Sequence, residues 1–92
     1  MTALAERMGW DLAGFEMGVS IDGDMLEWPP RDGEYHLSSA GAFEVMVGMD
    51  TIRLVRYDDE TWRSELYARN EFFWHESPHK AVELAAIALL DA

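Results

Sequence analysis

The alternation of apolar and polar positions predicts a β-hairpin in the second half of the chain. Residues Thr61–Arg69 alternate with a period of two, which is the clearest pattern of a half-buried strand in the sequence. The preceding stretch Thr51–Tyr57 is rich in Ile, Leu and Val, and the acidic run 58–60 between them is typical of a turn. The side chains expected to face the core are Trp62, Ser64, Leu66 and Ala68.

A second hairpin is predicted upstream, between Phe15 and Trp28. Apolar residues alternate with small or polar ones from Phe15 to Ile21, and Asp22-Gly23-Asp24 is a strong turn sequence. The return strand ends at Pro29-Pro30, because proline has no N–H for a sheet ladder. The aromatic run 72–74 is expected to be extended.

Helices are predicted in three places. The first begins near Thr2 and ends at Gly9, where a glycine suits the residue after a helix. The second is capped by Ser38 or Ser39 and has its last turn near Gly48. The apolar face expected for it comprises Ala42, Phe43, Met46, Val47 and Met49.

The third helix has the clearest start signal, Ser77 as N-cap with Pro78 at the first helical position, and it runs to about Leu90. Its wide apolar stripe implies burial against a sheet; the stripe comprises Val82, Ala85, Ala86 and Leu89, widened by Leu84, Ile87 and Leu90. The sequence therefore predicts one α+β domain over residues 1–92, with two antiparallel hairpins forming a small sheet packed with three helices.

Charge narrows the classes of partner. The chain of 92 residues has 18 acidic and 7 basic residues, for a net charge of −11, and its first 50 residues contain ten of the acids and two of the bases. Direct nucleic-acid binding and anionic membrane surfaces are disfavoured, because both need clustered Lys and Arg. A basic protein or nucleoprotein surface is the partner that this charge would attract, although the charge could equally serve solubility alone.

Cysteine is absent, so disulfides, thiolate catalysis and Cys-based zinc sites are excluded. The amino-terminal stretch lacks the apolar core of a signal peptide, and we expect a cytoplasmic protein. No nucleophile elbow, phosphate-binding loop or dinucleotide fingerprint is present. We therefore expect neither an enzyme nor a cofactor.

Two short motifs resemble metal sites. His75-Glu76-Ser77-Pro78-His79 matches the zinc-protease pattern HExxH. That pattern requires both histidines on one continuous helix, whereas Pro78 should open the helix here, leaving His75 before it and His79 facing solvent in the first turn. Asp22-Gly23-Asp24 with Glu27 is too incomplete for a calcium loop. We expect no metal site.

Three segments resemble the phage ABA sandwich family of small phage-encoded domains. They are the segment 6–12, with sequence ERMGWDL; Pro29-Pro30 followed by Tyr35 and by Phe43-Glu44-Val45; and Ser77-Pro78 leading into an Ala-rich closing helix. The segments cover the chain from Glu6 to Leu90. The resemblance implies a compact layered fold and an origin in phage or prophage, hence a place in the cytosol of a bacterial host; it transfers no catalytic residue.

Acidic residues cluster in the predicted turns and form the candidate partner-binding site. If the turns meet on one side, the acids form one negative ridge that imitates a nucleic-acid backbone; otherwise they are separate solvated turns. The candidate residues are Asp22, Asp24, Glu27, Asp32, Glu34, Asp58, Asp59 and Glu60.

Two functions follow as hypotheses. The first is a non-catalytic phage inhibitor that binds a host defence nucleoprotein, such as a CRISPR effector, through its acidic face. The second is a phage structural or accessory protein that self-associates, as a homodimer for example, through exposed aromatic residues. Four tryptophans in 92 residues exceed what a small core usually needs; the aromatics considered for exposure are Trp28, Trp62, Phe72, Phe73 and Trp74.

Overall fold

The protein is an α+β domain built around a three-stranded antiparallel sheet. A computed structural model describes residues 2–13, 24–27, 30–31, 34–49 and 51–90. The elements of this part are α1 (Thr2–Met8), α2 (Ser39–Gly48), β1 (Ile52–Arg56), β2 (Trp62–Leu66), β3 (Glu71–His75) and α3 (Pro78–Leu90).

The sheet has the strand order β1-β2-β3, so each strand pairs with its neighbour in sequence. On its inner face, Leu54 lies opposite Ser64, which lies opposite Phe73. Ser64 and Leu66 are fully buried there, as their alternation in the sequence predicts. The two strands of the predicted downstream hairpin are confirmed, although both are shorter than the predicted runs, and the segment around Phe73 is the third strand.

Helix α3 packs across the inner face of the sheet. It begins at Pro78 and ends at Leu90, as predicted. Its Val82, Ala85 and Ala86 are completely buried, whereas Leu84, which was expected to widen the apolar stripe, is exposed. The buried hydroxyl of Ser64 donates a 2.6 Å hydrogen bond to the Ala81 carbonyl, which joins the central strand to the first turns of the helix.

The ends of α1 and α2 follow their sequence signals. Gly9 has a φ of +77°, and the N–H groups of Gly9 and Trp10 donate to the carbonyls of Glu6 and Ala5. This pattern closes a helix with a left-handed residue, which glycine adopts without strain. At the other helix, the Ser38 hydroxyl accepts a 3.0 Å bond from the Gly41 N–H, so Ser38 is the N-cap.

The predicted apolar face of α2 is wrong in two positions. Phe43 and Val47 are exposed, and the face that packs into the core is formed by Ala42, Val45, Met46 and Met49. The helix is apolar on nearly every side, so the pattern of its residues does not define which face packs. Contact with α3 selects the face.

The predicted upstream hairpin lies largely outside the described residues. In its described part, Leu26 forms an isolated antiparallel bridge with Leu37, and both side chains are buried. The Glu27 N–H donates to the His36 carbonyl and the Ser38 N–H donates to the Met25 carbonyl. The return strand therefore appears as a short pairing that joins residues 25–27 to the segment before α2.

Helix α3 has 13 residues and is the longest helix of the described part. In that part, no helix has the length and apolar character that crossing a bilayer requires.

Two glycines of α2 should respond oppositely to alanine. A Cβ on Gly41 would lie 1.9 Å from the Met25 carbonyl oxygen, whereas one on Gly48 would meet only the flexible Met8 side chain, at 3.4 Å. We expect Gly41→Ala to destabilise the fold by about 2 kcal/mol or more, because backbone atoms must move apart. Gly48→Ala should stabilise it by about 0.5 kcal/mol through helix propensity.

Urea unfolding of the two variants beside the unchanged chain measures both effects. Equal destabilisation by the two alanines would contradict the close approach of α2 to Met25.

Candidate functional site

The outer face of the sheet carries arginine and aromatic side chains. Alternation along the strands places Arg53, Arg63 and Trp74 on the side away from α3, because their neighbours Leu54, Ser64 and Phe73 face the core. Across the strands, Arg53 lies opposite Glu65 and Glu65 opposite Phe72; Val55 lies opposite Arg63 and Arg63 opposite Trp74. We call this surface the aromatic face; its residues are Arg53, Val55, Tyr57, Arg63, Glu65, Tyr67, Phe72 and Trp74.

Arginines order the aromatic face by lying over its rings. The Arg63 guanidinium carbon is 5.2 Å from the centre of the Phe72 ring and 5.8 Å from that of Tyr57. Its Nη2 also lies 2.8 Å from Glu65 Oε1. Arg53 lies 5.8 Å from the ring centre of Tyr67. Such cation–π contacts stabilise by about 0.5–1 kcal/mol each at exposed sites and limit the motion of both partners.

The aromatic face is open to solvent. Tyr67 is 67%, Tyr57 60% and Trp74 50% exposed, and the rings of Phe72 and Trp74 have centroids 6.1 Å apart. Of the aromatic residues considered for exposure, Phe72 and Trp74 are exposed, while Trp62 and Phe73 are partly buried. Trp28 lies outside the described residues. Tryptophan, tyrosine and arginine are the residues that most often dominate the energy of protein interfaces.

The acidic run of the β1–β2 turn lies at one end of the aromatic face. Trp62 pairs with both Arg56 and His75, so this turn and the start of α3 are at the same end of the sheet. Asp58, Asp59 and Glu60 are all exposed. The Glu60 N–H donates a 2.9 Å bond to Asp58 Oδ1, and this bond is the main cause that lowers the pKa of Asp58.

Glu27 is occupied by contacts within the protein. Its carboxylate contacts Arg31 Nη2 at 2.9 Å, His79 Nε2 at 3.2 Å and Lys80 Nζ at 3.3 Å. Partial burial alone would raise the pKa of Glu27, but the nearby Lys80 ammonium, with Arg31 and His79, lowers it below the ordinary value. Glu27 is therefore the acid of a local cluster of opposite charges.

The other predicted acids are distributed as follows. Asp24 and Glu34 are exposed, and Asp22 and Asp32 lie outside the described residues. The structure thus brings Asp58, Asp59 and Glu60 together in one turn and turns Glu27 toward its own cations. A single ridge containing all eight acids stays a prediction.

No family model, curated protein or solved structure matches the chain. The resemblance to the phage ABA sandwich family therefore stays a prediction.

The two histidines of the HExxH pattern belong to different elements. His75 ends β3, where its Nδ1 accepts a 3.0 Å bond from the Ser77 N–H. His79 lies in the first turn of α3, as predicted, but it contacts Glu27 and its ring is mostly covered. The prediction that it faces solvent is wrong. In the described part of the chain, no three His, Asp or Glu side chains converge on one point as a metal ion requires.

A buried carboxylate, which the sequence pattern did not single out, ties the first half of the chain to α3. Glu83 is only 6% exposed; its Oε1 accepts a hydrogen bond from the Leu37 N–H, and its Oε2 lies 3.0 Å from His36 Nδ1. The one available signal was an acid within the apolar stretch Ala81–Leu90.

Glu83 borders an open polar cleft of about 550 Å³. The charged groups in and around the cleft mostly contact one another, since Glu83 bonds to His36 and Glu27 holds Arg31 and Lys80. The Lys80 Nζ is buried, and its contact with Glu27 is an ion pair without good hydrogen-bond angles. The charged groups of the cleft therefore connect separate segments of the chain to one another.

Removing the Glu83 carboxylate should destabilise the fold. We expect Glu83→Ala to lower the free energy of unfolding by about 2–3 kcal/mol, because the buried Leu37 N–H loses its acceptor. Glu83→Gln should lower the free energy of unfolding by less, since an amide oxygen can still accept the hydrogen bond from the Leu37 N–H. Urea unfolding checks both, with Glu44→Ala on the exposed side of α2 as control; equal losses for Glu83→Ala and Glu44→Ala would contradict the tie.

The Glu27 cluster should stabilise the fold only while its carboxylate is ionised. Because the pKa of Glu27 is lowered in the folded state, the stability that the cluster adds is fully present above the pKa of the unfolded chain, near 4.5. This stability is lost as the pH falls through the folded-state pKa. We expect Glu27→Gln to lower the free energy of unfolding by about 1 kcal/mol near pH 7, and not to change it once the pH is below the folded-state pKa.

Urea unfolding of Glu27→Gln and the unchanged chain, compared from about pH 7 to pH 3, measures this difference. The difference should also shrink in high salt. A difference that stays constant across the pH range would show that packing, and not charge, explains the loss.

Proposed function

We propose that this domain is a non-catalytic binding protein that docks on another protein through its aromatic face. The observation that carries the proposal is a sheet face that no described element covers, on which Tyr57, Tyr67, Phe72 and Trp74 are exposed and arginines lie over the first three of these rings. Truncating such Trp, Tyr and Arg side chains typically costs the most binding energy in protein complexes. Rings held in place by Arg53 and Arg63 lose little further conformational entropy on binding.

The charge of the molecule supports a protein partner over a nucleic acid. Exposed aromatics do stack on unpaired bases in single-strand binding proteins, but those proteins also line the strand with cations. Here the aromatic face has two arginines, Arg53 and Arg63, and Arg63 is paired with Glu65. A chain with a net charge of −11 repels a phosphate backbone at longer range.

A second candidate is the acidic inhibitor of a host defence nucleoprotein. The observation that favours it is the exposed turn Asp58-Asp59-Glu60, which lies beside Tyr57 at one end of the aromatic face. A partner with a basic groove would engage the turn and the aromatic face together. Its support is the charge balance and the resemblance to a phage family, and Glu27 would contribute less because its charge is locally compensated.

Capture from a bacterial lysate on the immobilised chain, followed by mass spectrometry, tests both candidates. We expect a protein that is retained by the unchanged chain and lost when Tyr57→Ala and Tyr67→Ala are combined, because these rings are exposed and contribute little to the core. The matched control combines Phe43→Ala and Val47→Ala, which remove two exposed apolar side chains from α2.

The variants separate the outcomes. Loss of the captured protein with the tyrosine pair but not with the α2 pair supports the aromatic face. Loss with Asp58→Lys and Asp59→Lys, together with release by added salt, favours the acidic inhibitor. A protein retained equally by all variants would refute docking through either surface.

A further inference from the structure

In the described part of the chain, strand β3 forms one edge of the sheet, and it lacks three common protections of an edge, namely lysine, proline and a bulge. It pairs with β2 on one side, and in the described part of the chain no strand pairs with its other side. Natural edge strands are commonly protected by lysine, proline or a bulge. The sequence Glu71-Phe72-Phe73-Trp74-His75 contains neither lysine nor proline, and it pairs with β2 in continuous register.

We propose that a second copy of this chain pairs with β3 in antiparallel orientation, forming a continuous six-stranded sheet across a two-fold axis. When the pairing is centred on Phe73, Phe72 of each copy lies opposite Trp74 of the other, and Glu71 lies opposite His75 of the other. Aromatic pairs across antiparallel strands are among the most stabilising cross-strand pairs. The two-fold axis uses the same strand of both copies, so the assembly closes as a dimer.

Charge complementarity favours β3 for this contact. Two chains of net charge −11 repel each other, so they meet most easily where acids are few or are opposed by bases. Strand β3 contains one acid and one histidine, and the proposed register places them opposite each other. The other edge, β1, has two arginines and no acid in five residues, so pairing it with a second copy would bring four arginines together with no acid opposite them.

The exposed area predicts a weak dimer. Phe72 and Trp74 still expose 38% and 50% of their surface. Since such side chains bury about 150–250 Å² each when fully covered, the two copies together gain at most roughly 300–400 Å² of aromatic burial. Backbone pairing adds to this, but the total is near the lower limit for specific interfaces, so we expect a dissociation constant on the order of 10–100 µM.

The dimer does not depend on the proposed function. Pairing at β3 uses the edge of the sheet, whereas Tyr57 and Tyr67 stay exposed on the joined aromatic faces. A monomeric chain could still bind a protein through its aromatic face. Failure of this inference would therefore leave the proposed function to its own test.

Sedimentation velocity over about a hundredfold range of concentration, centred on the expected dissociation constant, tests the dimer. We expect the unchanged chain to shift from monomer to dimer. Trp74→Lys should weaken association at least tenfold, because a charged side chain at the junction opposes edge pairing. The control is Val55→Lys, which places the same charge on the same face at the opposite edge of the sheet and should leave the dimer intact.

A charge exchange fixes the register. His75→Glu places two carboxylates opposite each other and should weaken the dimer, and adding Glu71→Lys should restore it. Near-ultraviolet circular dichroism of each variant confirms that it is folded. A chain that stays monomeric throughout, equal weakening by Val55→Lys and Trp74→Lys, or no recovery in the double variant would overturn the proposal.

Discussion

The buried carboxylate of Glu83 is the contact on which the arrangement of the first half of the chain depends. It accepts a hydrogen bond from the Leu37 N–H and contacts the His36 ring from within α3. Because Leu37 also bridges to Leu26, this contact places the segments around Leu26 and Leu37 against the helix that covers the sheet. The cap of α2 at Ser38 and the approach of Glu27 to Lys80 both follow from that placement. A polar interaction between segments separated by 46 residues thus positions parts that have little regular structure of their own.

The same arrangement leaves one side of the sheet without a covering helix in the described part of the chain. Helix α3 covers the inner face and α2 packs against α3, so in the described part of the chain the helices lie on one side. The outer face must then be stable in water while it carries large aromatic side chains. Arg53 and Arg63 meet this requirement by covering parts of the rings and keeping charge at the surface. The charged residues of the aromatic face are Arg53, Arg63 and Glu65, so this face is not negative within a molecule of net charge −11.

Elements with local signals could be predicted from the sequence, and contacts between distant segments could not. The period of two around Ser64 and the Ser77-Pro78 start are local, and both are confirmed. Helix α2 is apolar on most sides, so its pattern did not show that Phe43 and Val47 would be exposed. The run Phe72-Phe73-Trp74 has no alternation, so its role as an edge strand required its pairing with β2. Glu27 looked like a free acid because Lys80, its partner, is far away in sequence.

The hydrogen bond from Ser64 to the Ala81 carbonyl restricts how α3 can move over the sheet. Packing among Val, Ala and Leu side chains already favours certain positions along the helix axis. The directed hydrogen bond adds a penalty to any other position. A displacement of one residue along the axis is about 1.5 Å and would break a bond 2.6 Å long. Sliding would also leave the Ala81 carbonyl and the Ser64 hydroxyl without hydrogen-bond partners inside the core. Helix and sheet should therefore move as one unit, and a partner bound on the aromatic face would contact a rigid surface.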